Sequence, residues 1–211
     1  MCHRGQWNDF YCSDLRRDTH VHGGIIMTEE LNAQAEREIL RKQYEAFMDT
    51  VKRNHNPRSN TALIIDDERG IRMKVARDAK AFDPNLVIFE AANGREGLDK
   101  LAHIRKSYLR DPLFIVLDLN MPIMDGWEVI AKLKEDYEGK GRLSGIPVIV
   151  LSSTSGERGL IFGKKSVHGG KTGYVPLVTV AKETCVDQKR YDAKGETGLM
   201  NWLEYFLKRK Q

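Results

Sequence analysis

The sequence has little cysteine. Cys2, Cys12 and Cys185 are its three thiols, scattered and odd in number, a set that excludes a disulfide-built scaffold and fits a reducing compartment. Long hydrophobic runs are missing too. Nothing approaches the ~18 consecutive apolar residues of a membrane-crossing helix, and the longest apolar runs are strand-sized. No sign of charge dominates: 34 Lys+Arg stand against 30 Asp+Glu, a formal net charge of +4. That excess is too small to imply nucleic-acid binding without a basic patch. The opening MCHRGQWNDFYC has no apolar core of the kind a secretory signal needs. Internal repeats and low-complexity tracts are absent. What is there is a chain of 211 residues, 41% hydrophobic and 30% charged. This is a globular composition, long enough for one domain with a large appendage or two very small domains. The expectation is a cytoplasmic protein bound to neither membrane nor nucleic acid.

Residues 1–27 read as a disordered or non-native tail. They hold His3, His20 and His22 beside Cys2 and Cys12, but the spacing C-x9-C-x7-H-x-H fits no closed structural zinc pattern, so a tail is preferred to a metal site. Met27 precedes Thr28-Glu29-Glu30, a capping hydroxyl followed by acids suited to a helix N-terminus, and the native polypeptide is expected to begin near Met27. From about 29 to 53 the apolar residues Leu40, Tyr44, Phe47, Met48 and Val51 form a helical stripe, ended by the turn formers and proline of 54–60. Residues 28–58 thus form an N-terminal helical extension and linker. Because an isolated helix is marginal, the stripe must be buried, either on its own domain or in a homodimer or partner interface.

After residue 60 the pattern alternates. β-rich runs occupy 61–65, 86–90, 113–117, 147–151 and part of 174–181. Helical stretches follow at about 69–82, 95–108, 126–137, weakly at 156–168, and at 197–209. Strands alternating with helices predict a mostly parallel sheet covered on both faces, and the continuous apolar character of LFIVL and PVIVL fits strands buried on both sides. The last helix carries apolar positions 199, 202, 203 and 206, and no C-terminal output domain is expected after it. Trp127 and Trp202 read as packing residues.

In open parallel sheets ligands bind beyond the carboxyl ends of the strands, so the residues after each run carry the chemistry. Asp66-Asp67-Glu68 follow the first, Asp118 the third, Ser152-Ser153-Thr154 the fourth and Lys182 the fifth. Carboxylates this close need compensation. An all-oxygen set favours Mg²⁺, and with a lysine it suits phosphoryl transfer. Carboxylates after strands also cap helices, but Asp66, Asp67 and Asp118 on adjacent central strands exceed what capping needs.

At these residues a resemblance becomes plain. LIIDDE, IVLDLNMPIMDGWEVI and PVIVLSS resemble the receiver domain of two-component response regulators. Met121, Pro122, Asp125 and Gly126 stand in step with the family's D-x-x-M-P-x-M-D-G. The resemblance covers residues 59–211, strongly to Thr154 and poorly beyond. It implies a flavodoxin-like α/β fold, a doubly wound five-stranded parallel sheet of order 2-1-3-4-5, with the helical extension before it. It also implies that Asp118 accepts a phosphoryl group from a histidine kinase or histidine phosphotransfer protein. Asp66, Asp67, Asp118 and the backbone carbonyl of Asn120 would hold Mg²⁺, and Ser152 would bond a phosphoryl oxygen and couple the site to the distal surface. Asn120 and Thr154 would tune attacking water. Output would go to a downstream protein target, with no external substrate turned over.

The departures lie in the last third. The family ends its fifth strand with Lys-Pro, preceded three residues earlier by an aromatic switch. Here Tyr174-Val175-Pro176 keeps an aromatic and a proline without the lysine. VPLVTVAKE offers Lys182 with Glu183 after it and Thr179 at the switch position. Lys182 is preferred as the site lysine, with Lys171, Lys165 and Lys164 as alternatives. The glycine-rich stretch from Ser155 to Gly173 is a poor helix former. The rival reading is therefore a receiver-like scaffold that no longer switches. Two other resemblances fail. Gly170-Lys171-Thr172 resembles the end of a P-loop, but Lys165 stands where that motif needs glycine. A haloacid-dehalogenase-type phosphatase would need an acid at position 120, which is Asn.

Overall fold

The apolar runs become the strands of one parallel sheet. In the computed structural model, which describes residues 26–56, 59–152, 172–182 and 198–207, the strands are β1 (Thr61–Ile65), β2 (Val87–Ala91), β3 (Ile115–Asp118), β4 (Val148–Ser152) and β5 (Leu177–Ala181). Their spatial order is β2-β1-β3-β4-β5, and every pairing is parallel. This is the doubly wound, flavodoxin-like order the resemblance implied. Several strands start one or two residues later than the sequence pattern suggests. The pairing itself differs less. Leu113 N–H donates to the Thr61 carbonyl at 2.8 Å and Leu63 N–H to the Phe114 carbonyl at 3.3 Å, so the 113–117 run is already joined to β1 ahead of its formal start.

The helices are α1 (Ile26–Asn54), α2 (Arg69–Phe82), α3 (Gly94–Tyr108), α4 (Gly126–Gly139) and α5 (Leu199–Leu207). They bury the two faces of the sheet in separate clusters. On one face Ala62, Ile64, Val116, Ile149, Leu151, Val178 and Val180 pack with Val75 and Ala79 of α2 and with Leu199, Trp202, Leu203 and Phe206 of α5. On the other, Leu63, Ile65, Ile115, Leu117, Val148, Val150 and Leu177 pack with Leu101 and Ile104 of α3 and Val129, Ile130 and Leu133 of α4. Successive residues of one strand enter opposite clusters, which is the two-residue period of a sheet covered twice. Trp202 is a packing residue, stacked on Phe206 at 6.3 Å. Trp127 is 37% exposed on the first turn of α4.

α1 corrects one expectation. Thr28 lies inside the helix and does not cap it, because helical backbone begins at Ile26 and no glycine or proline interrupts it before Asn54. The side chains of Leu40, Tyr44 and Phe47 lie outside the described ones. Nearer the C-terminus, Val51 is buried in the first cluster and Met48 packs against it. Asn54 Nδ2 donates to the Pro112 carbonyl at 3.4 Å. The end of α1 is therefore rooted in the core, while Glu38, Ile39, Arg41, Lys42 and Glu45 are exposed. The weak helix expected at 156–168 and the tail with Cys2, Cys12, His3, His20 and His22 lie outside the described residues, as does Cys185. Among the described residues no helix is long and apolar enough to cross a membrane.

Candidate functional site

Register fixes what meets at the carboxyl edge of the sheet. Ile65 pairs with Leu117, Asp118 with Leu151, and Leu151 with Val180, so Asp66 and Asp118 lie level at the ends of β1 and β3, and Lys182 follows two residues past that level, just after β5. Asp66 and Asp118 are buried, and Lys182 is 8% exposed. One carboxylate oxygen from each of Asp66, Asp67 and Asp118 lies within 4.8 Å of the others. Lys182 Nζ donates to Asp118 Oδ2 at 2.9 Å and to Glu68 Oε1 at 2.9 Å, and stands 3.2 Å from Asp66 Oδ2.

Backbone amides orient the acids. Asp118 Oδ1 accepts from Leu119 N–H at 2.8 Å, and the Asn120 N–H also donates to this carboxylate. Asp66 Oδ1 accepts from Glu68 N–H at 2.9 Å. Asp66 Oδ2, fully buried, makes no hydrogen bond, and its ion pair with Lys182 rests on distance alone. A buried carboxylate oxygen without a hydrogen bond is costly, and a hard cation held by oxygens removes that cost. Three carboxylates with one orphaned oxygen fit such a cation.

The electrostatics reflect burial and crowding. Burial pushes Asp66 up to about 6, against the Glu68 amide and the Lys182 charge, which pull it down. Burial likewise raises Asp118, opposed by its bonds to Lys182 and to the backbone. For Lys182 burial acts downward but is outweighed by the hydrogen bonds to Glu68 and Asp118 and the charges of Asp118 and Asp66, so its pKa rises. The ammonium stays charged and partly offsets four clustered carboxylates.

Two features of the loops hold this geometry. Gly126 opens α4, and a Cβ there would collide with the Asp118 carbonyl oxygen and come within 2.8 Å of Leu119 Cα. Asp125 caps the same helix, accepting from Glu128 N–H at 2.8 Å while Glu128 Oε2 accepts from Asp125 N–H at 3.1 Å. This reciprocal capping explains both residues of the Asp-Gly pair. Arg72 was missed in the sequence. Its Nη1 donates to the carbonyls of Asp66 at 2.8 Å and Asp67 at 3.1 Å, and its Nε to Glu90 Oε2 on β2 at 3.3 Å. A cation in the first turn of α2, with no acid there, opposes the helix dipole. That misplaced charge was the readable clue. Glu68 was noted with the acid pair but given no task.

Of the other site residues, Asn120 is exposed beside Asp118. Ser152 ends β4 with its backbone paired to Ala181, but its side chain is outside the described ones, as are Thr154, Lys164, Lys165 and Lys171. Thr179 is half-buried within β5. Tyr174 is buried before β5, its hydroxyl donating to the Ile146 carbonyl at 2.7 Å, at the opposite end of the strand from Lys182.

Among known proteins, the model of the response regulator receiver domain family matches residues 62–166. The nitrate/nitrite response regulator protein NarL of Escherichia coli (strain K12) is 32% identical over 148 residues, 70% of this chain and 61% of its own length. A protein-glutamate methylesterase/protein-glutamine glutaminase of Nocardioides sp. is 34% identical over 115 residues, 54% of this chain and 28% of its own. The chain thus spans less than two thirds of these relatives. Among solved structures, the chemotaxis response regulator CheY4 of Vibrio cholerae is 23% identical, covering 63% of this chain and 97% of that one with a TM-score of 0.42. Through residues 62–166 the chain belongs to the response regulator receiver domain family.

Proposed function

We propose that the chain is a phosphoacceptor in a two-component pathway and that Asp118 takes a phosphoryl group from a histidine kinase or histidine phosphotransfer protein. The observation that carries this reading is the joining of three clustered carboxylates to a charged lysine 2.9 Å from Asp118 Oδ2. In the step, an Asp118 oxygen bonds to phosphorus as the bond from phosphorus to the donor imidazole breaks. Leu119 and Asn120 amides hold one carboxylate oxygen in place, and Lys182 meets the charge that arrives. Asp66, Asp67, Asp118 and the Asn120 carbonyl are the groups that would hold Mg²⁺. What such a cation supplies is neutralisation of charge on the phosphoryl oxygens. The Lys182 contact favours this reading over a scaffold that no longer switches.

Residues 59–211 are taken as the receiver and 28–58 as its helical extension. Output to a partner protein in the cytoplasm is part of the same reading, with α1 and the face carrying α5 as the surfaces. The test is the intact mass after incubation with acetyl phosphate and Mg²⁺. The expected result is a gain of one phosphoryl group that disappears on chelation and in Asp118→Asn. A wild-type protein that gains no mass, and is not labelled by a histidine kinase either, overturns the proposal.

A further inference from the structure

In the unmodified pocket Lys182 already donates to two carboxylates and lies close to a third. Its ammonium has three donors, and three carboxylates surround it: Asp118 Oδ2 at 2.9 Å, Glu68 Oε1 at 2.9 Å and Asp66 Oδ2 at 3.2 Å. A phosphoryl oxygen arriving on Asp118 competes with these carboxylates for the ammonium. Asp118 and Asp66 are both buried, and each has its other oxygen pinned by backbone amides. Glu68 differs on both counts. Its side chain is 61% exposed, and although it stands at the cap position of α2 it makes no side-chain capping bond.

We infer that Glu68 is a positioning residue for Lys182, an exchangeable partner that holds the ammonium in the unmodified pocket and yields it to the phosphoryl group. The inference rests on the receiver reading above. Its logic is competition. Glu68 and the incoming phosphoryl oxygen are anions seeking the same donor, and only Glu68 can withdraw into water at little desolvation cost. Glu68 therefore sets how readily the lysine is released, and through it how much phosphorylated protein accumulates. Its charge also lies at the mouth of the pocket, where it would repel an anionic donor without any help from Lys182. The experiment has to separate these two effects.

Two measurements do so. The first follows the Lys182 ammonium by ¹⁵N–¹H correlation in metal-free, unmodified protein. Glu68→Ala should speed its proton exchange with water severalfold, with Glu68→Gln between, since the amide keeps an acceptor oxygen. The second follows Asp118 modification by acetyl phosphate with Mg²⁺ in wild type, Glu68→Ala, Lys182→Met and the double variant. Glu68→Ala should raise the rate by about two- to fivefold, the scale of an exposed ion pair, and should have no effect in the Lys182→Met background. An equal gain in both backgrounds means that Glu68 acts only as a charge at the mouth, and overturns the inference. So does an ammonium whose exchange is unchanged in Glu68→Ala. That measurement needs no Lys182 variant and decides the matter even if Lys182→Met fails to fold. Should wild type accept no phosphoryl group while the ammonium responds as expected, the receiver reading is what fails, and the competition falls with it.

Discussion

At Gly126 the first turn of α4 runs against the Asp118 carbonyl, and no side chain larger than hydrogen fits without moving the phosphoacceptor loop. Gly70, in the first turn of α2, has no atom within 4 Å of where its Cβ would lie. The two positions therefore respond oppositely to the same substitution. Gly126→Ala should cost about 1–3 kcal/mol of unfolding free energy, the usual penalty of overpacking, and slow Asp118 modification. Gly70→Ala should gain about 0.5–1 kcal/mol from helix propensity and leave modification intact. Urea unfolding of the two variants, paired with the mass measurement, checks both. If Gly126→Ala is as stable as wild type, the backbone contact is not a constraint.

Between elements, the ion network at the far end of the sheet has more bearing on stability than on chemistry. Arg105 of α3 holds Asp136 of α4 through two bonds, at 2.7 and 3.2 Å, and Asp111 at 2.6 Å. Burial raises Asp136, but its hydrogen bonds to Lys140 and Arg105 prevail and its pKa falls below the ordinary carboxylate value. A depressed folded-state pKa contributes stability above the unfolded carboxylate pKa, and that contribution is lost as pH falls through the folded value. Arg105→Met should therefore cost about 1–2 kcal/mol near neutrality, the charged hydrogen bonds being discounted for partial exposure. The penalty should shrink on acidification, which paired urea titrations at pH 7 and in the acid limb would show; a penalty independent of pH would exclude this assignment. The elements themselves were largely legible. The run 61–65 and the helix 69–82 carry unbroken apolar or amphipathic periods, and each appears with the bounds expected. Asp66, Asp67, Asp118 and Lys182 were legible as a set because parallel strands deliver the residues after them to one edge. Arg72 and the Glu68 contact were not, because both depend on side-chain reach across elements, which no period in the sequence encodes. Thr28 misled because capping chemistry is a local preference that a continuing helix overrides.

Over the whole molecule, the first and last described helices share one core. Val51 of α1 lies in the cluster that also holds Leu199, Trp202, Leu203 and Phe206 of α5. Val51→Ala removes two methyl groups from it and should cost about 2 kcal/mol in transfer and cavity terms. The loss should appear in the single global unfolding transition; a local change in helicity alone would mean that α1 is not part of the cooperative unit. Exposed charges farther up the helix, such as Arg41, should leave that transition where it is. α1 has 29 residues, and from the packed turn at Met48 its axis extends about 33 Å to Ile26 at 1.5 Å per residue. It has the mechanics of a pointer pivoted in the core. A tilt of about 5° at the pivot would carry the tip about 3 Å over that length, so a readjustment beneath α5 too small to see in the sheet becomes a displacement as wide as a water molecule at the far end.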